Sequence, residues 1–169
     1  SGRREAAAVK ESLAALESLG AETLYVASDV ASAADRAALL DAVRERFGRL
    51  DIVFANAGIN GVWAPISDLT IAEWNRTLAV NLGGTFLTLH HAIPLMAERG
   101  GAIVITSSIN GTRTFTSAGA SAYAVSKAGQ VALAQMAALE LARLQIRVNV
   151  ICPGAIETAI DDSTKKRRV

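Results

Sequence analysis

The chain has 169 residues, 51% hydrophobic and 20% charged, with a net charge of +1. That size and balance describe one globular domain with a sizeable core and give no basis for nucleic acid or an anionic membrane as a partner. Cys152 is the single cysteine, which excludes an intrachain disulfide and points to a reducing, cytoplasmic setting.

The predicted elements follow in chain order. The opening SGRREAAAVKES lacks the apolar centre of a signal peptide. Residues 5–19 carry a helical pattern that Gly20 closes, and 23–30 (TLYVASDV) read as a strand. A helix is expected over 33–48, then a strand over 50–58 that runs into the turn Asn56-Ala57-Gly58. One long helix is expected over 70–99, where Thr70 and Glu73 have the capping-box spacing. Residues 101–109 read as a strand, 120–145 as a helix, and 146–154 as a strand stopped by Pro153. Strands apolar on both faces, each separated by a helix, imply a parallel sheet covered on both sides. The expected class is therefore a doubly wound, Rossmann-like α/β domain in three layers, α/β/α. No run of about 18 apolar residues marks a membrane span. The cluster Lys165-Lys166-Arg167-Arg168 reads as a solvated tail rather than a nucleic-acid contact.

The stretch SAYAVSK (121–127) places Tyr123 four residues before Lys127, so both side chains share one helix face. In one reading they are a half-buried packing residue and a solvated charge. In the other, the ammonium stabilises a phenolate and the tyrosine exchanges a proton with a substrate. A free tyrosine, with a pKa of about 10, is a poor base at neutral pH, and a nearby cation corrects that. Sheets of this class bind ligands beyond the carboxyl ends of their strands. Asp29, Asn56-Ala57-Gly58, Ser107-Ser108 and Pro153-Gly154 stand at four such ends, which favours the catalytic reading.

These residues resemble the short-chain dehydrogenases/reductases, over roughly residues 1 to 160. The motifs are DV at 29–30, NAG at 56–58, VNLGG at 80–84, TSS at 106–108, YAVSK at 123–127 and PGAIET at 153–158. The resemblance implies carbonyl–alcohol interconversion on a small molecule with a nicotinamide cofactor. It assigns Tyr123 as the acid/base, Lys127 as its activator and ribose ligand, and Ser108 as hydrogen-bond donor to the substrate oxygen, with Ser107 as the rival. Asn81 takes the place of the family's helical asparagine, which keeps a water linking the lysine to solvent; a helix-bending polar residue is the plainer account.

For the cofactor, the resemblance assigns Asp29 and Val30 to the adenine side and Asn56, Ala57 and Gly58 to a close backbone approach. Pro153, Gly154, Ile156 and Thr158 would meet the nicotinamide carboxamide. Arg3 stands where the adenine ribose would lie, and an arginine there accommodates the 2′-phosphate; NADP is expected, with NAD possible. His90 and His91 diverge on a helix, so no metal site is expected. Trp63 and Phe115 could border the substrate. The family's glycine-rich turn and last strand are not in the sequence, so an interior portion of a chain of about 250 residues is expected. A non-catalytic binding or regulatory relative and a sugar-nucleotide epimerase are the alternatives. The broad apolar surfaces of the 70–99 and 120–145 helices predict a homodimer or homotetramer.

Overall fold

The computed structural model describes residues 9–113, 118–156, 160 and 164–168. In chain order the elements are α1 (Lys10–Ser18), α2 (Ala33–Phe47), β1 (Ile52–Ala55), β2 (Val62–Trp63), α3 (Ile71–Leu78) and α4 (Gly84–Met96). They continue with β3 (Gly101–Thr106), α5 (Ser121–Leu141), β4 (Ile146–Ile151) and β5 (Lys165–Lys166). The helix ends follow from local chemistry. The Ser32 hydroxyl accepts the Asp35 amide at the start of α2, and Gly48 ends it with φ 68°, in the left-handed region that glycine adopts without a Cβ penalty. Thr70 and Glu73 form a reciprocal capping box at the start of α3.

β1, β3 and β4 form a parallel sheet in the order β1-β3-β4, with Ile52 opposite Ala102 and Ile103 opposite Val148. One face carries Val53, Ala55, Ile103, Ile105 and Ile146, and packs with Leu40 of α2, Leu89, Ala92 and Met96 of α4, and Ala134, Ala137 and Leu141 of α5. On the other face Ile52 and Phe54 stand 68% and 60% exposed. These are apolar side chains of the kind expected on a strand with two buried faces. Among the described residues no helix is long and apolar enough to cross a membrane, and no group of three or more His, Cys, Asp or Glu could hold a metal.

Three expectations are corrected. Residues 23–30 make only an isolated bridge at residue 27, because a strand exists by its ladder and an apolar run alone supplies no partner. The 70–99 helix is interrupted: Ala79–Gly83 form a π turn, in which the Gly84 amide reaches back five residues to the Ala79 carbonyl. The basic tail, although its residues 165–168 stay exposed, is docked through its backbone. β5 pairs in parallel with β2, the Arg167 amide donates to the Trp63 carbonyl at 2.8 Å, and the Lys166 ammonium lies 4.9 Å from the Trp63 ring centroid. The Asn60 amide donates to the Thr164 hydroxyl at 2.8 Å, and the Arg167 guanidinium meets the Glu73 carboxylate. The lysine stems and backbone find partners that the charge count does not reveal.

Candidate active site

α5 positions the site. Its buried residues are Ala122, Tyr123, Ser126, Lys127, Gln130, Ala134, Ala137 and Leu141, one face at steps of three and four. The first half of that face is polar and the second half apolar, so one helix carries site residues at one end and is anchored in the core at the other. Tyr123 is 9% exposed and Lys127 3%. The Lys127 Nζ lies 5.6 Å from the Tyr123 ring centroid and donates to the Thr106 carbonyl at 2.9 Å. Burial pulls its pKa from 10.5 down to about 8, a shift that its interaction with Cys152 partly opposes.

The two serines after β3 differ sharply. The Ser107 hydroxyl donates to the Lys127 carbonyl at 2.7 Å and ties the strand end to α5. The Ser108 oxygen accepts the Asn110 amide at 3.2 Å, which leaves its own O–H available as a donor. Ser108 opens the short 3-10 turn Ile109–Gly111, and a Cβ on Gly111 would fall 2.5 Å from the Lys127 carbonyl carbon. Only glycine lets that turn lie against α5. The Ile109 amide donates to the Pro153 carbonyl at 3.0 Å, so the proline after β4 holds the serine turn.

Asn81, fully buried in the π turn, reaches the loop after β1. Its Oδ1 accepts the Ile59 amide at 2.8 Å, and its Nδ2 donates to the Ile59 carbonyl and the Ser126 hydroxyl, both at 2.9 Å. A Cβ on Gly58 would lie 3.3 Å from Asn81 Oδ1 and 3.5 Å from Lys127 Nζ. The NAG glycine therefore sits at the junction of the two polar groups.

The other predicted residues spread outward from this cluster. The Asp29 carboxylate accepts the Ala31 amide at 3.0 Å and lies 3.9 Å from the Arg76 guanidinium. Val30 packs on Gly84, where a Cβ would fall 2.7 Å from the valine methyl. Asn56 and Ala57 are exposed beyond β1. Gly154 and Ile156 are exposed beyond β4, and a Cβ on Gly154 would meet open space. Arg3, Thr158 and Phe115 lie outside the described residues. A cavity of about 430 Å³ between residues 24–30, α2, β1 and α4 is lined by Val30, Asn56 and Ala57, but not by Ser108, Tyr123 or Lys127. It adjoins the adenine-side residues rather than the tyrosine.

Sequence reading passed over Ser126, Thr85 and Gln130. Ser126 reads as a small spacer between Tyr123 and Lys127, yet it is fully buried and holds Asn81. The signal was available: Ser126 and Gln130 follow Tyr123 by three and seven residues, polar positions on the same buried stripe.

The family model described as enoyl-(acyl carrier protein) reductase matches residues 2–168. Levodione reductase of Leifsonia aquatica is 40% identical over 148 residues, which cover 87% of this chain and 55% of that protein. Among solved structures, a 3-ketoacyl-ACP reductase from Sinorhizobium meliloti 1021 is 49% identical with a TM-score of 0.88, over 98% of this chain and 63% of that one. NAD+-bound xylitol dehydrogenase is 33% identical with a TM-score of 0.84, over 91% of this chain and 59% of that one. The chain spans about half the length of the curated relatives it matches. These neighbours share its doubly wound, three-layer α/β/α class. With the motifs gathered on α5, the π turn and the ends of the parallel strands, the chain belongs to the short-chain dehydrogenase/reductase family.

Proposed function

We propose that the whole protein is a nicotinamide-dependent oxidoreductase that interconverts a carbonyl and a secondary alcohol on a small molecule. The observation that carries the reading is the buried pair on α5: a tyrosine and a lysine share one face, and among the described residues the ammonium is held by one backbone carbonyl. When bound, the nicotinamide supplies or accepts the hydride. In the direction of reduction the Tyr123 hydroxyl gives its proton to the substrate oxygen, and in oxidation the phenolate takes it back. Lys127 favours that phenolate through its charge. Ser108 donates to the same oxygen and stabilises the negative charge developing there. Asn81 holds Ile59, and through it the loop that carries Gly58.

The residues present fit the cofactor. An ammonium has three donors, and Lys127 gives one to Thr106, so two remain for ribose hydroxyls beside the space that Gly58 keeps clear. Asp29 would take the adenine amino group and Gly154 the carboxamide. Arg3 favours NADP over NAD. The exposed apolar side chains of Phe86 on α4 and of Val125, Met136 and Leu139 on α5 support assembly as a homodimer or homotetramer through these helices.

The test is turnover of the whole protein with NADP or NAD against a panel of ketones and secondary alcohols. Tyr123→Phe keeps the ring and removes the proton, so it should lower kcat about 10²-fold or more with cofactor affinity nearly unchanged. Undiminished turnover in that variant would overturn the mechanism.

A further inference from the structure

Gln130 has no role in the reading above, yet it is fully buried. Its Nε2 donates to the Asn81 carbonyl at 2.9 Å and to the Thr85 hydroxyl oxygen at 2.7 Å. The Thr85 hydroxyl donates to the same Asn81 carbonyl at 2.8 Å. This triangle sets the orientation of the amide: turned over, its oxygen would face the Asn81 carbonyl, acceptor against acceptor. The Gln130 Oε1 is then buried with no hydrogen-bond partner among the described residues. An unsatisfied buried acceptor is destabilising, so stability alone would favour an apolar side chain of similar volume.

The benefit lies in what the donor holds. Asn81 sits in the π turn, where one extra residue per turn directs its side chain toward Ile59 and Ser126. A π turn is strained relative to an α-helix and tends to occur at functional sites. α5 grips Asn81 at two points one helical turn apart, Ser126 on the side chain and Gln130 on the backbone carbonyl. Resting on the proposed reaction, we infer that Gln130 is a positioning residue: it clamps the carbonyl of the π turn and so fixes Asn81, and with it the Gly58–Ile59 loop, against Lys127. Without the clamp the turn can relax toward regular helix, and a one-residue change of phase swings the Asn81 side chain by about 100°.

The test replaces Gln130 by leucine in the whole protein, which fills the volume and removes both donors. Thermal stability should be kept, and kcat and kcat/KM should fall together by about tenfold or more. A readout independent of turnover is the titration of Lys127, followed by NMR of ε-carbon-labelled lysine in the cofactor-free protein. Among the described residues, Tyr123 and Cys152 are the titratable groups facing that amine. Its midpoint should move up from about 8 toward 10.5 as the loosened loop admits water. Wild-type kcat with an unmoved midpoint would overturn the inference. If Gln130→Leu fails to fold, Gln130→Glu serves, because its protonated acid keeps one donor. Its activity relative to wild type should recover as pH is lowered, and a pH-independent loss would equally overturn the inference. Retained turnover in Tyr123→Phe would sink the reaction itself, while the lysine titration would still decide the role of Gln130.

Discussion

Lys127 should weaken the fold it serves, and the cost can be worked out. Burial lowers its pKa from 10.5 to about 8, and at about 1.4 kcal/mol per unit the protonated amine costs the folded state about 3 kcal/mol. Below pH 8 the amine is protonated in both states and the whole cost is present. Between about pH 8 and 10.5 the unfolded chain holds a proton that the folded protein has released, so stability rises with pH. Above 10.5 both forms are neutral and the cost is gone. Lys127→Met removes the charge but leaves the Thr106 carbonyl without its donor, a loss of about 1–2 kcal/mol. The net gain at pH 7 should be about 1–2 kcal/mol, or a Tm higher by about 3–6 °C for a protein of this size. Chemical denaturation of the cofactor-free whole protein, wild type beside variant, at pH 7, 8, 9 and 10 measures it. The advantage of the variant should shrink across that series while its activity is lost throughout. A variant less stable than wild type at pH 7, or a difference that does not change with pH, would refute the reasoning.

Gly58→Ala should lower kcat about tenfold with little change in Tm, since the new methyl crowds Asn81 Oδ1 and takes up space beside Lys127 Nζ rather than in the core; steady-state kinetics and a thermal melt check both. Met136→Glu places a charge on a side chain that is 55% exposed, and light scattering should show the oligomer dissociating with little change in the fold of each subunit. Arg3→Asp should move the ratio of kcat/KM values from NADP toward NAD by about tenfold or more; an unmoved ratio would remove Arg3 from the cofactor site.

What the sequence disclosed depended on whether the signal was local. Gly48 and the Thr70–Glu73 pair mark helix ends by their own backbone needs, and α2 and α3 begin or stop there. Tyr123 and Lys127 sit on one face because helical spacing puts them there. The strand expected over 23–30 failed for the opposite reason, since its partner must come from elsewhere in the chain. The π turn was hidden because one extra residue appears in sequence only as a slip of phase. Past it, Leu89, Ala92 and Met96 are buried while Phe86 is half-exposed. The resemblance names Ser108 with Ser107 as its rival, and the engagement of the Ser107 hydroxyl by the Lys127 carbonyl, twenty residues away, is a contact that neighbouring letters do not display.

Glu73 links a short-range event to a long-range one. The same carboxylate closes the capping box on Thr70 and receives Arg167, a residue 94 positions away. Its pKa lies below the ordinary glutamate value because the Thr70 amide and hydroxyl donate to it, with Arg167 adding to the effect. Protonation therefore loosens the first turn of α3 and the docked segment 164–168 in one step as pH falls through that depressed value. Two structures that look unrelated in the chain are in this way made cooperative by one side chain. An uncharged glutamine at 73 still offers the oxygen that a capping box needs but no charge for Arg167, so the helix start would persist while the docked segment lost one of its several contacts.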